Sequence, residues 1–354
     1  MECRIVRFGQ HHNIAKDHPE LATARPDLVT PAFPKNPVSS DDDFPYLFYF
    51  IENGEIVGVR KAIPDLVYRG SGTFPFAWCF DTYVNPEHHG KGIGTKLVAV
   101  QVEEFERRGD ISAAAFSAPA MMRIYEKLGY DVLGCVPKYA RLRNTAPFLA
   151  RKIPSKFVAN LLAPVANAGL AIWLKLRSRA DNLNIDVKKI SHESFCGLSK
   201  HFQREIVLYW DSEPDWTLCR LRQSDTMYSV HSKSSEMPSV VLVARLRDQL
   251  GKDAPLPIKR LTIVHFIVDE NIADAYSHVA QAANFLLRQT QADVVDIVTS
   301  SPGLQKVLQS QGFSQRGEGM TYVFKAPTRL PLPHAHQQSD WHLTHFCSDG
   351  FLFD

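Results

Sequence analysis

The chain lacks the features that mark several large classes of protein. Its six cysteines are scattered over 354 residues, and no two of them form a C-x-x-C pair or a disulfide-framework spacing. Lys and Arg total 40 against 38 Asp and Glu, so a net charge of +2 without a long basic block offers little attraction to a polyanion. We therefore expect free thiols in a reducing cytoplasm and no nucleic-acid partner.

Targeting and metal-binding signals are also missing. The first ten residues, MECRIVRFGQ, alternate like a short strand and have no apolar run after a charged start, so we expect no signal peptide. The tail holds His334, His336, His342, His345 and Cys347, but their spacings match no recognised zinc pattern. We expect no metal, and a tail that packs over a cleft or is partly disordered.

What the chain does contain predicts about two domains of alternating strands and helices. Two strand-like runs between residues 46 and 63 are joined by Asn53-Gly54, which is a strong short-range signal for a hairpin. A third strand over 75–84 and a helix over 94–108, closed by Gly109, come next. The pattern then gives the strand ISAAAF, the helix APAMMRIYEKLG and the strand YDVLGCV.

From about residue 181 the order of strands and helices starts again. RLTIVHFIVDE and ADVVDIVTS are typical of strands, and ADAYSHVAQAANFLLRQ and PGLQKVLQSQG are typical of helices. VLQSQGF at 307–313 aligns on its glycine with IYEKLGY at 124–130, which indicates a diverged repeat. This half has no glycine loop, and Leu308 stands where the first half has Tyr125, so we expect it to have lost any cofactor site.

The most informative stretch is HHGKGIGTKL at 88–97, which places three glycines just before a predicted helix. The nucleotide-hydrolysis loop is excluded, because Lys91 precedes the last two glycines instead of following them. The dinucleotide fingerprint is excluded as well, because NPEHH separates the loop from the preceding strand. The helix start still predicts a phosphate site, since its unpaired amides and partial positive charge favour an anion.

Residues 75–143 resemble the GNAT superfamily of acyl-CoA-dependent N-acyltransferases. The superfamily signature, [RQ]-x-x-G-x-[GA] after a strand and then a helix ending in Y-E-K-L-G-[FY], is matched by HGKGIG at 89–94 and YEKLGY at 125–130. The resemblance implies an α/β (α+β) fold of two tandem GNAT-like domains. Each would be a mixed, mostly antiparallel central sheet flanked by helices, and the second would be degenerate.

The resemblance also implies where acetyl-CoA or another acyl-CoA binds as cosubstrate. The pyrophosphate would contact the amides of the glycine loop, where His89 replaces the usual Arg or Gln, and the last strand residues before the loop would pair with the pantetheine through main-chain groups. The implied cofactor-binding residues are Thr82, Tyr83, Val84, His89, Gly90, Lys91, Gly92, Ile93, Gly94 and Thr95.

Two residues are candidates for the chemistry. Tyr125 matches the superfamily tyrosine that sits beside the sulfur and protonates the departing thiolate, and the alternative is a buried core aromatic. Asp81 ends the donor-side strand, where a general base or water-relaying carboxylate often sits, and the alternative is a solvated or ion-paired acid. Glu87 and His88 are less well placed for the role of base.

The segment RKIPSKFVANLLAPVANAGLAIWLKLRSRA at 151–180 is apolar between basic flanks and contains Pro164 and Gly169. It predicts an inter-domain helix pair, a membrane-surface helix over 157–176 with basic ends, or a true span. Taken together, the patterns predict an acyl-CoA-binding catalytic domain at 1–150, an apolar helical linker at 151–180, a degenerate acceptor-binding domain at 181–330 and a tail at 331–354.

The acceptor is expected to be a small-molecule amine. DWTLCR at 215–220 and DWHLTHFCSDG at 340–350 resemble elements of tandem GNAT proteins encoded with bacterial surface-polysaccharide enzymes, which implies an amino sugar or a cell-envelope precursor. Candidate acceptor residues, with simple packing or surface ion pairing as their alternative, are Asp215, Trp216, Arg220, Trp341, Thr344 and Asp349. Other functions left open are a protein-lysine or peptide acetyltransferase, a FemABX-like aminoacyl transferase and a non-catalytic acyl-CoA sensor.

Overall fold

The computed structural model describes residues 1–24, 42–69, 72–116, 118–153, 155–177, 184–202, 225–250, 257–317, 319–330, 338 and 341–344. In this part of the chain the strands form two sheets of seven strands each, and helices pack against both. The predicted class, two tandem α/β units with mixed sheets, is confirmed.

The first sheet has the order β1-β2-β3-β4-β5-β14-β6. Its strands are β1 Glu2–Arg7, β2 Pro45–Glu52, β3 Glu55–Arg69, β4 Gly72–Val84, β5 Ile111–Phe116, β6 Asp131–Cys135 and β14 Thr321–Lys325. The predicted hairpin is present, because Asn53 and Gly54 take the φ values of 53° and 83° that a tight turn between β2 and β3 needs. The pairings are antiparallel except for β4 with β5.

The second sheet repeats this plan with the order β13-β7-β12-β11-β10-β9-β8. Its strands are β7 Lys138–Leu142, β8 Ile185–Lys189, β9 Asp225–Ser232, β10 Pro238–Gln249, β11 Ile258–Val268, β12 Val294–Val298 and β13 Ser314–Gln315. The single parallel pair, β11 with β12, occupies the place of β4 with β5. The shared order confirms the repeat predicted from the glycine-aligned helix ends.

The two sheets exchange one strand in each direction. β14, from the far end of the chain, lies between β5 and β6 of the first sheet, and β7, from the first half, lies between β12 and β13 of the second. The domain boundaries at 150 and 181 remain a prediction. Each sheet nevertheless includes one strand that comes from the other side of these boundaries in the sequence.

The helices are short except for the two that connect the strands of each parallel pair and the one that joins the two halves. They are α1 Ile14–Asp17, α2 Pro19–Ala24, α3 Ile93–Arg108, α4 Pro119–Lys127, α5 Ala146–Lys152, α6 Lys156–Arg177, α7 His192–His201, α8 Ala275–Gln289 and α9 Pro302–Ser310. The expected division of 151–180 near Pro164 is wrong, since Pro164 lies inside α6. Its exposed position lets water reach the carbonyl that loses its helical partner.

The interior is continuous between the two units. The largest apolar cluster contains side chains of the first sheet and α3 together with Val241 and Val243 of β10 and Val264 and Ile267 of β11. Because the strand exchange and this cluster tie the units together, the first sheet and the helix start that carries the glycine loop are held on a rigid base.

Candidate active site

A wedge opens between β4 and β5. The two strands pair in parallel only over Phe76–Cys79 and Ile111–Ala114, although β4 continues to Val84 and β5 to Phe116. Beyond these pairs, among the described residues, no ladder joins the two strands. The main chain of the last residues of β4 therefore faces a gap in the sheet, which is where an extended ligand with amide groups can pair.

A β-bulge shapes β4 at the start of this wedge. The register of β4 on β3 shifts so that Asp81 and Thr82 together oppose the single residue Arg60, and Asp81 takes a φ of 51°. A bulge re-aims side chains and interrupts the ladder locally. Here it places Thr82 in a hydrogen bond with Arg60, and Asp81 in an ion pair with the neighbouring Lys61.

Arg60 is the centre of a buried polar cluster that the sequence analysis missed. Its side chain is 1% exposed, and it donates hydrogen bonds to Gln101 Oε1 of α3, to Thr82 Oγ1 and, over 2.6 Å, to the hydroxyl of Tyr125. Burial lowers the pKa of Arg60, but Tyr125 and Cys79 beside it more than offset this effect, so the pKa is raised and the guanidinium stays charged.

Tyr125 lies next to the wedge. Its ring stacks on Phe116, the last residue of β5, at 5.1 Å and 21°, and meets Tyr130 edge-on at 4.8 Å. The side chain is 1% exposed, so Tyr125 is packed like the buried core aromatic that is the alternative to a catalytic role. Its hydroxyl is nevertheless bonded to a cation, which favours negative charge on that oxygen when a proton leaves it.

Asp81 and Tyr125 lie on opposite faces of the sheet. The carboxylate of Asp81 pairs with Lys61 Nζ at 2.8 Å, and both side chains are about one quarter exposed. Arg60, which contacts Tyr125, directly precedes Lys61 on β3, and successive strand residues point to opposite faces. A group held in the wedge could therefore be approached by Tyr125 from one face and by Asp81 from the other.

The glycine loop forms the open start of α3. Gly90 and Gly92 have φ values of 78° and 75°, and a Cβ added to either would meet nothing within 4 Å, so the space above them is free. No side chain caps the helix, and its first bond runs from Lys96 N–H to the Gly92 carbonyl. The amides of residues 93–95 thus have no acceptor within the helix.

Close packing fixes this helix start against the sheet. A Cβ added to Gly58 of β3 would lie 2.8 Å from the side chain of Ile93, so glycine lets α3 approach β3. His89 Nε2 lies 3.0 Å from the Val84 carbonyl, which ties the loop to the end of β4. Lys91 is exposed beside the loop. The structure thus brings the predicted cofactor-binding residues 82–84 and 89–95 together at one sheet edge.

The matching place in the second half is unsuited to a phosphate. α8 begins after Asp274 at its N-cap position, and Asp269 and Glu270 precede it. Carboxylates at a helix start occupy the positive end of the helix dipole and repel another anion. Leu308, in the place of Tyr125, is fully buried.

The chain itself fills the second wedge. The N–H of Leu343 donates to Ser300 Oγ at 2.8 Å, and the Ser300 N–H donates to the Leu343 carbonyl. His342 Nε2 lies 2.9 Å from the Phe266 carbonyl of β11 on the other side. The prediction of a tail packed over a cleft is borne out for these residues, and we expect no acyl-CoA to enter here.

The predicted acceptor residues divide into two groups. Trp341 is 2% exposed and packs against Phe76 and Phe324, and the hydroxyl of Thr344 is buried against His265 Nδ1 at 3.0 Å. Both positions fit the packing alternative, and neither offers a surface to a ligand from solvent. The remaining candidates, Asp215, Trp216, Arg220 and Asp349, lie outside the described residues.

A surface pocket of about 650 Å³ lies beside the end of β4. It is lined by Tyr83 and Asn85, by Glu20 and Thr23 of α2, and by residues 54–56 of the hairpin, which include Glu55. Glu20 is already paired with Arg4 at 2.8 Å, so Glu55 contributes most of the attraction of this pocket for an ammonium group. Over the residues that can be described, no group of three His, Cys, Asp or Glu side chains is arranged to hold a metal ion.

Comparison with known proteins agrees with this geometry. The family model described as "Acetyltransferase (GNAT) domain" matches residues 35–133, which include the wedge strands, the glycine loop and Tyr125. Residues 35–133 are therefore similar to a GNAT acetyltransferase domain. The match agrees with the predicted superfamily and supports acyl-CoA-dependent N-acyltransferase activity.

Solved structures extend the likeness in fold to most of the chain. A GCN5-related N-acetyltransferase from Anabaena variabilis superposes with a TM-score of 0.57 at 14% identity, over 93% of this chain and 74% of that one. One from Kribbella flavida gives 0.52 at 15%, over 92% and 70%. Eis1 from Mycobacterium abscessus gives 0.51 at 15%, over 92% and 74%. At these identities the likeness concerns the fold alone.

Proposed function

We propose that this GNAT protein transfers the acyl group of an acyl-CoA, in the first place acetyl-CoA, to a primary amine of a small acceptor. The observation that supports the proposal best is that the open start of α3 and the wedge lie at one edge of the same sheet. The amides of residues 93–95 would bind the pyrophosphate. The main chain of Thr82, Tyr83 and Val84 would pair with the pantetheine, which leads the thioester towards the bulge.

The buried cluster supports a role for Tyr125 as proton donor. The amine nitrogen attacks the thioester carbonyl carbon, the C–N bond forms, and the C–S bond breaks with its electron pair going to sulfur. Tyr125 gives its proton to that thiolate, and Arg60 stabilises the phenolate until solvent restores the proton. Asp81, on the opposite face, accepts the proton of the attacking amine directly or through water.

For the acceptor we propose an amino sugar or a related cell-envelope precursor in the cytoplasm. This proposal is supported by the resemblance of DWTLCR and DWHLTHFCSDG to surface-polysaccharide proteins. Because Trp341 and Thr344 are buried, we assign them no contact with the acceptor. The pocket beside Tyr83 adds a physical reason, since Glu20 and Glu55 would attract the ammonium form of the amine before it loses a proton.

A thiol-release assay tests the proposal. Purified protein is incubated with acetyl-, propionyl- and longer acyl-CoAs against nucleotide-linked amino sugars, lysine-containing peptides and polyamines, and free coenzyme A is measured. The proposal expects release that depends on an amino sugar. Release with peptides alone would favour a peptide acetyltransferase, and acyl-CoA binding without turnover on any amine would favour a sensor. Absence of acyl-CoA binding in calorimetry would overturn the proposal as a whole.

A further inference from the structure

An exposed apolar face on α6 is a surface feature that the acyltransferase site does not use. Phe157, Leu161 and Val165 are 78%, 66% and 71% exposed, and they follow one another at four-residue spacing. Val158, Leu162, Ile172 and Trp173 extend the same face. At 100° per residue these seven side chains cover about 160° of the helix surface. A contiguous apolar face of this kind marks an interaction surface.

The opposite face of α6 is bound to the protein. Ala159 and Ala163 are buried. Asn167 Oδ1 accepts hydrogen bonds from the N–H and the hydroxyl of Thr145 at 2.8 Å each, and its amide donates to Asn144 at 3.1 Å. The window 157–175 is apolar and long enough to cross a bilayer, with a mean hydropathy of 1.7. A crossing would break these bonds, so the geometry is that of a helix lying on a surface.

The charged residues of the segment that contains α6 are all basic. Between residues 146 and 180 the sequence has six basic residues and no acidic one. They stand on both sides of the apolar run in the sequence and are Arg151, Lys152, Lys156, Lys175, Arg177 and Arg179. An apolar face between basic ends is the composition of a helix that binds anionic lipid headgroups.

A second copy of this chain fits the face less well. In a symmetric dimer the same patch meets itself, so α6 would pack on α6. Because both ends of α6 are basic, either a parallel or an antiparallel arrangement would place like charges next to one another. Lipid headgroups of opposite charge meet no such repulsion.

We propose that α6 docks this protein onto the surface of a membrane that contains anionic lipids, with Phe157, Leu161 and Val165 in the interface and the basic residues at both ends of the helix near the headgroups. This surface is independent of the acyl-transfer site, so either proposal can fail alone.

Flotation of the full-length protein with phosphatidylcholine vesicles, with and without phosphatidylglycerol, tests the proposal. The wild type should float with the anionic vesicles at least about tenfold better than with neutral ones, and added salt should weaken this binding. The triple variant F157S/L161S/V165S should bind at least about tenfold more weakly. The double variant K152E/K175E, which reverses one exposed charge on either side of the apolar run, should lose the preference for phosphatidylglycerol.

The control variant M237S removes an exposed apolar side chain between β9 and β10, 60% exposed, and should float like the wild type. Thermal melts verify that each variant is folded. Failure of the wild type to float would overturn the proposal, as would equal flotation of the triple variant. A lipid-free dimer that the triple variant turns into a monomer would assign the face to a second copy instead.

Discussion

The Arg60 guanidinium donates a 2.6 Å hydrogen bond to the hydroxyl of Tyr125, and both side chains are withdrawn from solvent. Arg60 reaches this position because the bulge in β4 leaves it opposite two residues, one of which, Thr82, accepts from it. Burial of a charged side chain in this way costs desolvation free energy. Its position next to the proposed proton donor supplies a functional reason for that cost.

The first prediction separates this role from a structural one. Tyr125→Phe should lower kcat about 100-fold with little change in acyl-CoA affinity, because the proton is given only as the thiolate departs. Arg60→Met should lower kcat comparably, and Arg60→Lys should recover part of it by restoring a cation. Steady-state kinetics and calorimetry with acetyl-CoA measure the two quantities.

Gln101→Met provides the matched control, since it removes another partner of Arg60 but leaves the bond to Tyr125. This variant should have a lower free energy of unfolding and a nearly unchanged kcat. Full turnover in a folded Tyr125→Phe variant would show that Tyr125 serves only as core.

The second prediction concerns the phosphate cradle. Gly92→Asp should weaken coenzyme A binding, because its φ of 75° is strained for a side chain and the carboxylate adds repulsion. Gly109, with a φ of 83° at the opposite end of α3 and open space around it, allows the same substitution without a nearby ligand. Both variants should melt earlier, but only Gly92→Asp should raise the Kd measured by calorimetry. Equal affinity in the two variants would place the pyrophosphate elsewhere.

The third prediction addresses Asp81. Its φ of 51° is tolerated by asparagine better than by most residues, so Asp81→Asn removes the charge with little strain. We expect kcat with the amine acceptor to fall about tenfold or more while acyl-CoA affinity holds. Lys61→Met, which removes the ion-pair partner, is the control and should lower kcat less. An unchanged rate in Asp81→Asn would leave Asp81 as an ion-paired surface acid.

Local sequence patterns predicted most of the first sheet because they act over a few residues. Asn53-Gly54 fixes its turn, and Gly92 and Gly109 delimit α3 within one residue of the expected bounds. Arg60 could not be recognised in the same way. On an alternating strand a charged residue is expected to face solvent, and only the bulge made by Asp81 and Thr82, together with Gln101 of α3, gives it buried partners.

The strand exchange was equally hidden from the sequence. KYARL of β7 and TYVFK of β14 have the alternation of ordinary strands, and nothing in such a pattern states which sheet will accept them. The burial of Trp341 has a related cause. An aromatic residue in a polar tail suits a sugar site, but pairing of the tail with Ser300 draws the indole into the core.

The fourth prediction concerns acid stability. Burial raises the pKa of Glu104, but hydrogen bonds from Arg107 and Arg7 outweigh it and hold the pKa below its ordinary value of 4.5. A lowered folded pKa means that the stabilisation is complete above the unfolded value and is lost as pH falls through the folded one. Denaturant unfolding of Glu104→Gln should therefore show lower stability at neutral pH and a shallower decline below about pH 4.5. Glu103→Gln, exposed on the same helix, should follow the wild type.

The last prediction follows from the exchanged strands. Residues 1–180 alone lack β14, whose Tyr322, Val323 and Phe324 are buried between β5 and β6. Loss of this strand leaves two unpaired edges and an open apolar layer, so the fragment should not bind acetyl-CoA in calorimetry. Co-expression with residues 181–354 should restore binding, because that fragment supplies β14 and takes up β7 in return. Acetyl-CoA binding by the isolated fragment would show that the wedge and the glycine loop form without β14.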